Sequence, residues 1–511
     1  MRKYFLKIFK QSNLGKHYCF ISFIVGVLLS CGTKNEVASI KPPPNIIHIV
    51  LDELGYFETS YMNNKYLETP NIDRLAKEGM IFTQLLAGAA VCAPTRSVLM
   101  SGQHLGHTAV RGNSGSQSLN PNDSTIASVL KKAGYATGGF GKWGLGDAGT
   151  EGVPEKHGFD LFFGYYHQRH AHTYFPEYLI RNSKREYLEG NTNNYFEGKY
   201  FAQDLIFEES VKFIKENKEK PFYCYMPWTI PHGFWGIPED NPEWLEYKDR
   251  DWSTAGKQRR EEDVKIYAAM VKMADRQIGE IMDLIKSLGI DDNTLILFSG
   301  DNGGQYYFAN ENHPKGFFNP NGGVYRGGKR DFYEGGLRIP ALVWWPGKIK
   351  AGTTSDHLSY FADIMPTFAE VAGLEKPKFT DGILMVPILF GEAAVGRQQE
   401  QHDYLYWESP DGWVAVRSGE WKIVKRGKIM SKSTKKETGK PTGLFELYNI
   451  SKDVGESEDL SSKHPEIVKR LSEYAIEAHE ENVMGKYLPE LSDLKFDPST
   501  MPGGQNYSSD K

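Results

Sequence analysis

The sequence predicts an α/β domain on a large, mostly parallel sheet flanked by helices, followed by a small C-terminal α+β subdomain with an antiparallel sheet. Three observations carry this. Short β-rich apolar runs that end in polar loops alternate with longer segments of helical period. Ile46 to Leu51 and Thr294 to Phe298 read as buried strands that each stop at paired polar residues. After Gly391 the texture changes to paired β-rich runs about a tight turn.

In chain order, residues 46–51 form the first buried strand, which stops at Asp52 and Glu53. Pro94 suits the first turn of a helix, which continues from Thr95 and closes at Gly102. A helix over 124–133 leads to a strand at 136–140 and the loop Gly141-Lys142-Trp143-Gly144. A helix over 202–217 precedes a strand at 222–226, whose exit runs to Pro231-His232. A helix over 261–287 precedes a strand at 294–298, which stops before Asp301-Asn302-Gly303-Gly304. The cluster from Arg326 to Asp331 precedes a strand at 341–345 and a helix at 360–373. In the C-terminal part a hairpin at 413–424 turns at Ser418-Gly419, a charged stretch covers 425–440, and an amphipathic helix spans 465–482. These elements place a catalytic domain at 45–395, a C-terminal subdomain at 396–494 and a flexible tail at 495–511.

The amino terminus speaks of location. Arg2, Lys3, Lys7, Lys10 and Lys16 precede a short apolar run, the pattern of a secretory signal. It ends Leu28-Leu29-Ser30-Cys31-Gly32, which resembles a bacterial lipobox, so residues 1–30 read as a lipoprotein signal peptide and Cys31 as the site of lipid attachment. Residues 31–44 then form a proline-stiffened tether, and the protein is exported and membrane-anchored, facing the periplasm or the cell surface. Of Cys19, Cys31, Cys92 and Cys224, only Cys224 remains as an ordinary thiol, so no disulfide framework is expected. Lys and Arg number 60 against 65 Asp and Glu, and loss of the signal removes five bases and no acid. The net negative charge disfavours nucleic acid, and an anionic substrate must be held by local cations.

Function in such a sheet lies beyond the carboxyl ends of the strands. Two exits carry paired oxygen donors, Asp52-Glu53 and Asp301-Asn302, a set suited to Ca²⁺ more than to Mg²⁺. Lys142, His232 and the Lys329-Arg330 pair each bring a cation or proton donor to an exit. Cys92 begins Cys92-Ala93-Pro94-Thr95-Arg96 at a helix N-terminus, where unpaired N–H groups favour an anionic ester beside a nucleophile.

This C-x-P-x-R pentapeptide resembles the signature of the type I sulfatases of the alkaline phosphatase superfamily. The resemblance extends over nearly the whole mature chain. It includes Asp52-Glu53-Leu54-Gly55-Tyr56, Thr69 to Ala76, Gly141-Lys142-Trp143, Pro231-His232, Gly300-Asp301-Asn302-Gly303, Gly328-Lys329, Glu334-Gly335-Gly336, Trp421-Lys422-Ile423 and Glu446-Leu447-Tyr448-Asn449. It implies an alkaline-phosphatase-like sandwich and conversion of Cys92 to formylglycine by a maturation enzyme. It also implies a divalent metal on Asp52, Glu53, Asp301, Asn302 and the modified Cys92. A hydroxyl of the hydrated aldehyde would attack sulfur in line, with Lys142 and Lys329 on the sulfate oxygens and Arg96 supporting the nucleophile. His232 would protonate the leaving alcohol or bind the ester.

Two positions depart from the family pattern. Glu53 stands where a second Asp is common, and Gly144 where many members carry a histidine. Candidates to fill the latter role are His167, His170, His172 and His313, with His170 and His172, in the loop 165–174, preferred. That loop reads equally as a substrate subsite, with Arg330 as a further contact. The expected activity is hydrolysis of sulfate monoesters, on a sulfated glycan or a small ester, with Trp228, Trp235, Tyr165, Tyr166 and Tyr174 offering faces for sugar rings. The rival readings are a phosphate or phosphonate monoester hydrolase of the same superfamily and a non-catalytic glycan-binding lipoprotein.

Overall fold

In the computed structural model, which describes residues 43–256, 259–313, 315–319, 323–427, 429–430, 437–439, 444–481 and 485–486, strand β1 (Asn45–Leu51) lies inside a ten-stranded sheet. Its other strands are β2 (Met80–Phe82), β3 (Ala136–Lys142), β4 (Leu161–Tyr165), β5 (Tyr178–Arg181), β6 (Lys184–Tyr187), β7 (Phe222–Trp228), β8 (Thr294–Gly300), β9 (Ala341–Trp344) and β10 (Thr353–Ser355). The spatial order is β10-β2-β9-β8-β1-β7-β3-β4-β5-β6. The five strands from β8 to β4 are mutually parallel, with Ile46 opposite Leu295 on one side and Tyr223 on the other. Toward the edges, β9, β2, β5 and β6 pair antiparallel.

All seven residues of β1 are buried, the polar Asn45 and His48 along with its five apolar side chains. Helices α1 (Pro70–Glu78), α2 (Cys92–Ser101), α3 (Ile126–Lys131), α4 (Ala202–Asn217), α5 (Asp263–Ser287) and α6 (Ile364–Val371) form the two outer layers. Ile46 and Val50 pack into one layer with residues of α2, α3 and α6. Ile47, Ile49 and Leu51 pack into the other with α1, α4 and α5. Alternation of side chains along a strand thus sends successive residues into different layers.

The C-terminal strands β11 (Leu405–Glu408), β12 (Val414–Ser418), β13 (Trp421–Lys425) and β14 (Glu446–Asn449) make an antiparallel sheet in sequential order. Helix α7 (Pro465–Glu477) closes it, with Leu471 against Val416, Ile423 and Leu447. Buried Glu334 ties this sheet to the large one. It accepts from Arg338 (2.8 Å), Arg417 (3.3 Å) and Lys422 (3.1 Å), and Lys422 also reaches Glu456 (2.9 Å).

Several expected elements change extent. α2 begins at Cys92 itself and ends at Gly102, whose φ of +66° is a left-handed stop. The helix expected at 360–373 opens as a 3₁₀ turn (Phe361–Asp363), because the Asp363 carboxylate accepts from the backbone N–H groups of Tyr360 and Ile383. The closing helix stops at Glu477, and the backbone N–H of Glu480 donates to Gly106 O. Among the described residues no helix is long and apolar enough to cross a membrane. The signal peptide, Cys31, nearly all of the tether and the 495–511 tail lie outside the described residues.

Candidate active site

The strand exits converge as the parallel sheet requires. β1 delivers Asp52 and Glu53, β8 delivers Asp301 and Asn302, β3 ends on Lys142, the loop after β7 presents His232, and α2 begins with Cys92. Ligand atoms of Asp52, Glu53, Cys92 and His232 lie within 4.8 Å of one another, and all four residues are buried.

Cys92 Sγ donates to Asp52 Oδ1 at 3.1 Å, and Lys142 Nζ to Asp52 Oδ2 at 2.6 Å. One turn along α2, Arg96 donates to the Lys142 carbonyl (2.6 Å) and to Asp301 Oδ2 (3.0 Å), and its guanidinium stands 3.6 Å from Asp52 Oδ2. Asp301 Oδ1 accepts the backbone N–H of Glu53 (3.1 Å), bridging the ends of β1 and β8. Glu53 takes a left-handed φ of +67° and pairs with Lys329, with Tyr307 and, at 2.8 Å, with His232 Nε2. The longer Glu side chain thus reaches across the site to partners on separate loops.

Three carboxylates, Asp52, Glu53 and Asp301, therefore face the cations Arg96, Lys142 and Lys329. Burial would raise the Asp52 carboxyl, yet Lys142, His232, Arg96 and Lys329 together hold it well below the usual range. Asp301 goes the other way, pushed up by burial and by the neighbouring Asp52 charge against the pull of Arg96. Burial, reinforced by Asp52, raises the Cys92 thiol well above its ordinary value, so as a cysteine it is a poor nucleophile. Burial pushes His232 down to about 4 against the opposing charge of Asp52. Both ring nitrogens face oxygens, Nδ1 the Gly233 carbonyl at 3.2 Å and Nε2 the Glu53 carboxylate at 2.8 Å. With Lys329 Nζ 3.4 Å from Nε2, the single proton of the neutral ring can sit on Nε2 and point to Glu53.

Asn302 is wholly buried, and its Oδ1 has no hydrogen-bond partner among the described residues, while Nδ2 donates to Gly303 O. An unsatisfied buried oxygen beside three carboxylates is the chemistry of a hard-cation site, and the donor set fits one.

The remaining candidates are dispersed. His172 stacks on His232 at 4.1 Å between centroids, and burial with the adjacent His232 keeps it well below its ordinary value. His170 packs between Tyr165 and Tyr178, away from the carboxylates. Arg330 is exposed, and its backbone N–H donates to Ala90 O. The expected sugar-binding faces need correction, because Trp228, Trp235, Tyr165, Tyr166 and Tyr174 are each at most 2 % exposed. They are scaffold instead: Tyr165 OH donates to Thr173 O and Tyr174 OH to His232 O, fixing the loop that carries His172. Tyr307 and Gln168, both close to the site, carried no recognisable spacing.

Against this geometry the comparisons with known proteins agree. The Sulfatase family model matches residues 44–374, and the model described as N-sulphoglucosamine sulphohydrolase, C-terminal, matches 323–481. Human N-acetylgalactosamine-6-sulfatase is 28% identical over 480 residues, covering 86% of each chain. Human arylsulfatase A is 29% identical over 481 residues, covering 85% of this chain and 87% of its own. The crystal structure of Ps i-CgsB in complex with k-i-k-neocarrahexaose superposes with a TM-score of 0.68 at 25% identity, covering 88% of this chain and 96% of that one. With its strand exits, buried carboxylates and pentapeptide helix in one place, the chain belongs to the sulfatase family and is a sulfuric ester hydrolase.

Proposed function

We propose that the protein hydrolyses sulfate monoesters on sulfated glycans, using a formylglycine made from Cys92 beside a calcium ion held by Asp52, Glu53, Asp301 and Asn302. The observation that carries this is the contact of Cys92 Sγ with Asp52 Oδ1 at the start of α2, inside the buried carboxylate cluster. The thiol stands there in place of the aldehyde hydrate. A hard divalent cation would supply Lewis-acid stabilisation of the nucleophile and the sulfate oxygens. Lys142 and Lys329, paired with carboxylates here, are placed to hold sulfate oxygens once a cation neutralises those acids. Arg96 orients Asp52 and Asp301 from within α2. His232 would hand a proton to the departing alcohol from Nε2, which carries it beside Glu53 Oε1. Attack by one hydroxyl of the hydrate would form its bond to sulfur as the sulfur–alcohol bond breaks. The second hydroxyl would then lose its proton, re-form the carbonyl and break the carbon–oxygen bond to sulfate, which a serine ester could not do.

A glycan substrate is supported by the relative named for N-acetylgalactosamine-6-sulfate and by the solved relative holding a neocarrahexaose. The faces for sugar rings come from a cleft beside Gly55 and Gly304, where Phe57 and Tyr325 stack at 5.2 Å and Lys315 adds a cation. On this reading Cys31 anchors the exported enzyme through lipid, and a maturation enzyme oxidises Cys92. Mass spectrometry of the tryptic peptide ending at Arg96, from protein made in its native host, should find formylglycine. Activity on sulfate esters should vanish on chelation and return with calcium. An alkylatable thiol, or turnover that withstands chelation, would overturn the reading.

A further inference from the structure

Two residues beyond Lys142 the chain passes through Gly144 at a φ of +78°. A Cβ there would stand 2.9 Å from Gln168 Oε1 and 3.0 Å from its Cδ. The Gln168 amide therefore fills the space that a side chain at 144 would enter. It is 3 % exposed, and its two ends are not equivalent. Nε2 donates to Asn113 Oδ1 at 2.7 Å, and the same Asn113 oxygen accepts the backbone N–H of Ala93 at 3.1 Å. An atom that accepts from a backbone N–H must be the oxygen of the asparagine, so Gln168 must offer it a nitrogen. Oε1 is the end left over, and it has no hydrogen-bond partner among the described residues.

A buried carbonyl oxygen without a donor is costly, and it persists where another requirement holds it in place. Here the amide is tied through Asn113 to Ala93, the residue after the nucleophile, and lies against Gly144, two residues past the Lys142 that donates to Asp52. The Cys92 thiol has one proton, and it goes to Asp52. An aldehyde hydrate at the same position has two hydroxyl groups, so one donor gains no partner from that contact. We infer that Gln168 Oε1 accepts the second hydroxyl of the Cys92 hydrate and fixes its rotamer, with the first directed to the carboxylate cluster. The inference rests on the formylglycine reading above. An amide does not titrate near neutral pH, so Gln168 orients this hydroxyl and takes no proton from it.

The test compares Gln168→Ala, Asn113→Ala and the double variant Gly144→His/Gln168→Ala with wild type, with formylglycine content read by mass spectrometry in each. Gln168→Ala with full formylglycine should lower kcat about tenfold to a hundredfold and leave KM within about twofold. The double variant should recover most of that loss. Its histidine starts beside the vacated Oε1 position, and histidine tolerates a left-handed backbone better than most residues. Its kcat should also gain a pH dependence near the ordinary histidine value of about 6.5 that wild type lacks. Should Gln168→Ala not fold, Gln168→Met keeps the bulk without the acceptor and should show the same loss. Unchanged kcat in a fully modified Gln168 variant overturns the inference alone. So does an equal loss in Asn113→Ala with no recovery in the double variant, which would make the amide a brace for α2. An unmodified thiol in active wild type overturns both this inference and the proposed nucleophile.

Discussion

Glu58 sits beneath the loop that carries Asp52 and Glu53, 6 % exposed, and accepts from the backbone N–H of Gly55 at 2.7 Å and from the Tyr267 hydroxyl. Burial pushes its carboxyl up to about 7, although both donors pull the other way. The folded chain thus binds this proton more tightly than the unfolded chain, whose Glu titrates near 4.3. Stabilisation from the protonated group is complete below about pH 4.3 and is lost as pH rises through about 7. Glu58→Gln should therefore raise Tm at pH 8 and change it little at pH 4, as read by calorimetry; equal shifts at both would mean that the carboxyl is ionised in the fold. The sequence points to Asp52, Asp301, Lys142 and His232 because each follows a strand and carries chemistry in its own side chain. It could not point to Tyr307, which meets Glu53 across 254 residues of sequence, or to Gln168, whose role depends on the space left by Gly144.

At the level of elements, legibility followed burial. β1, β3, β7 and β8 read as strands because they lie buried in the middle of the sheet and their sequences carry short β-rich runs that stop at polar exits. β5 and β6 go unassigned: β5 is only four residues long, and β6, at the sheet edge, has none fully buried. The exits also depend on close backbone approach that hydropathy does not report. A Cβ at Gly141, where φ is +136°, would stand 2.2 Å from the Pro227 carbonyl, at the point where β3 and β7 bring Lys142 and His232 toward one another. Gly141→Ala should cost about 1–3 kcal/mol in denaturant unfolding and lower kcat more than KM, because Lys142 is the next residue. A variant as stable and active as wild type would show that the two strands can part without harm.

For the molecule as a whole, Glu334 is the joint between the two sheets, and burial is outweighed there by Lys422, Arg417 and Arg338, which hold its carboxyl below the usual range. Glu334→Gln leaves those cations without their common counter-ion and should cost about 3–5 kcal/mol, because an unpaired buried charge is left behind. The same variant should lose activity, since Lys329 lies in the segment that Glu334 anchors; a loss under about 1 kcal/mol with full activity would make the joint dispensable. Cys92 bears on the history of the molecule as well as its shape. It is 1 % exposed at the foot of a helix whose ten residues are all buried, so a protein-sized catalyst has no path to it after folding. On the reading proposed here, oxidation of that thiol is a race against folding. Protein refolded with the thiol intact and then given the maturation enzyme should stay inactive, whereas an unstructured peptide spanning residues 85–103 should be converted. Conditions that speed folding or outpace the supply of maturation enzyme would then yield a permanently inert fraction, identical in fold to the active one and different from it only in when α2 closed.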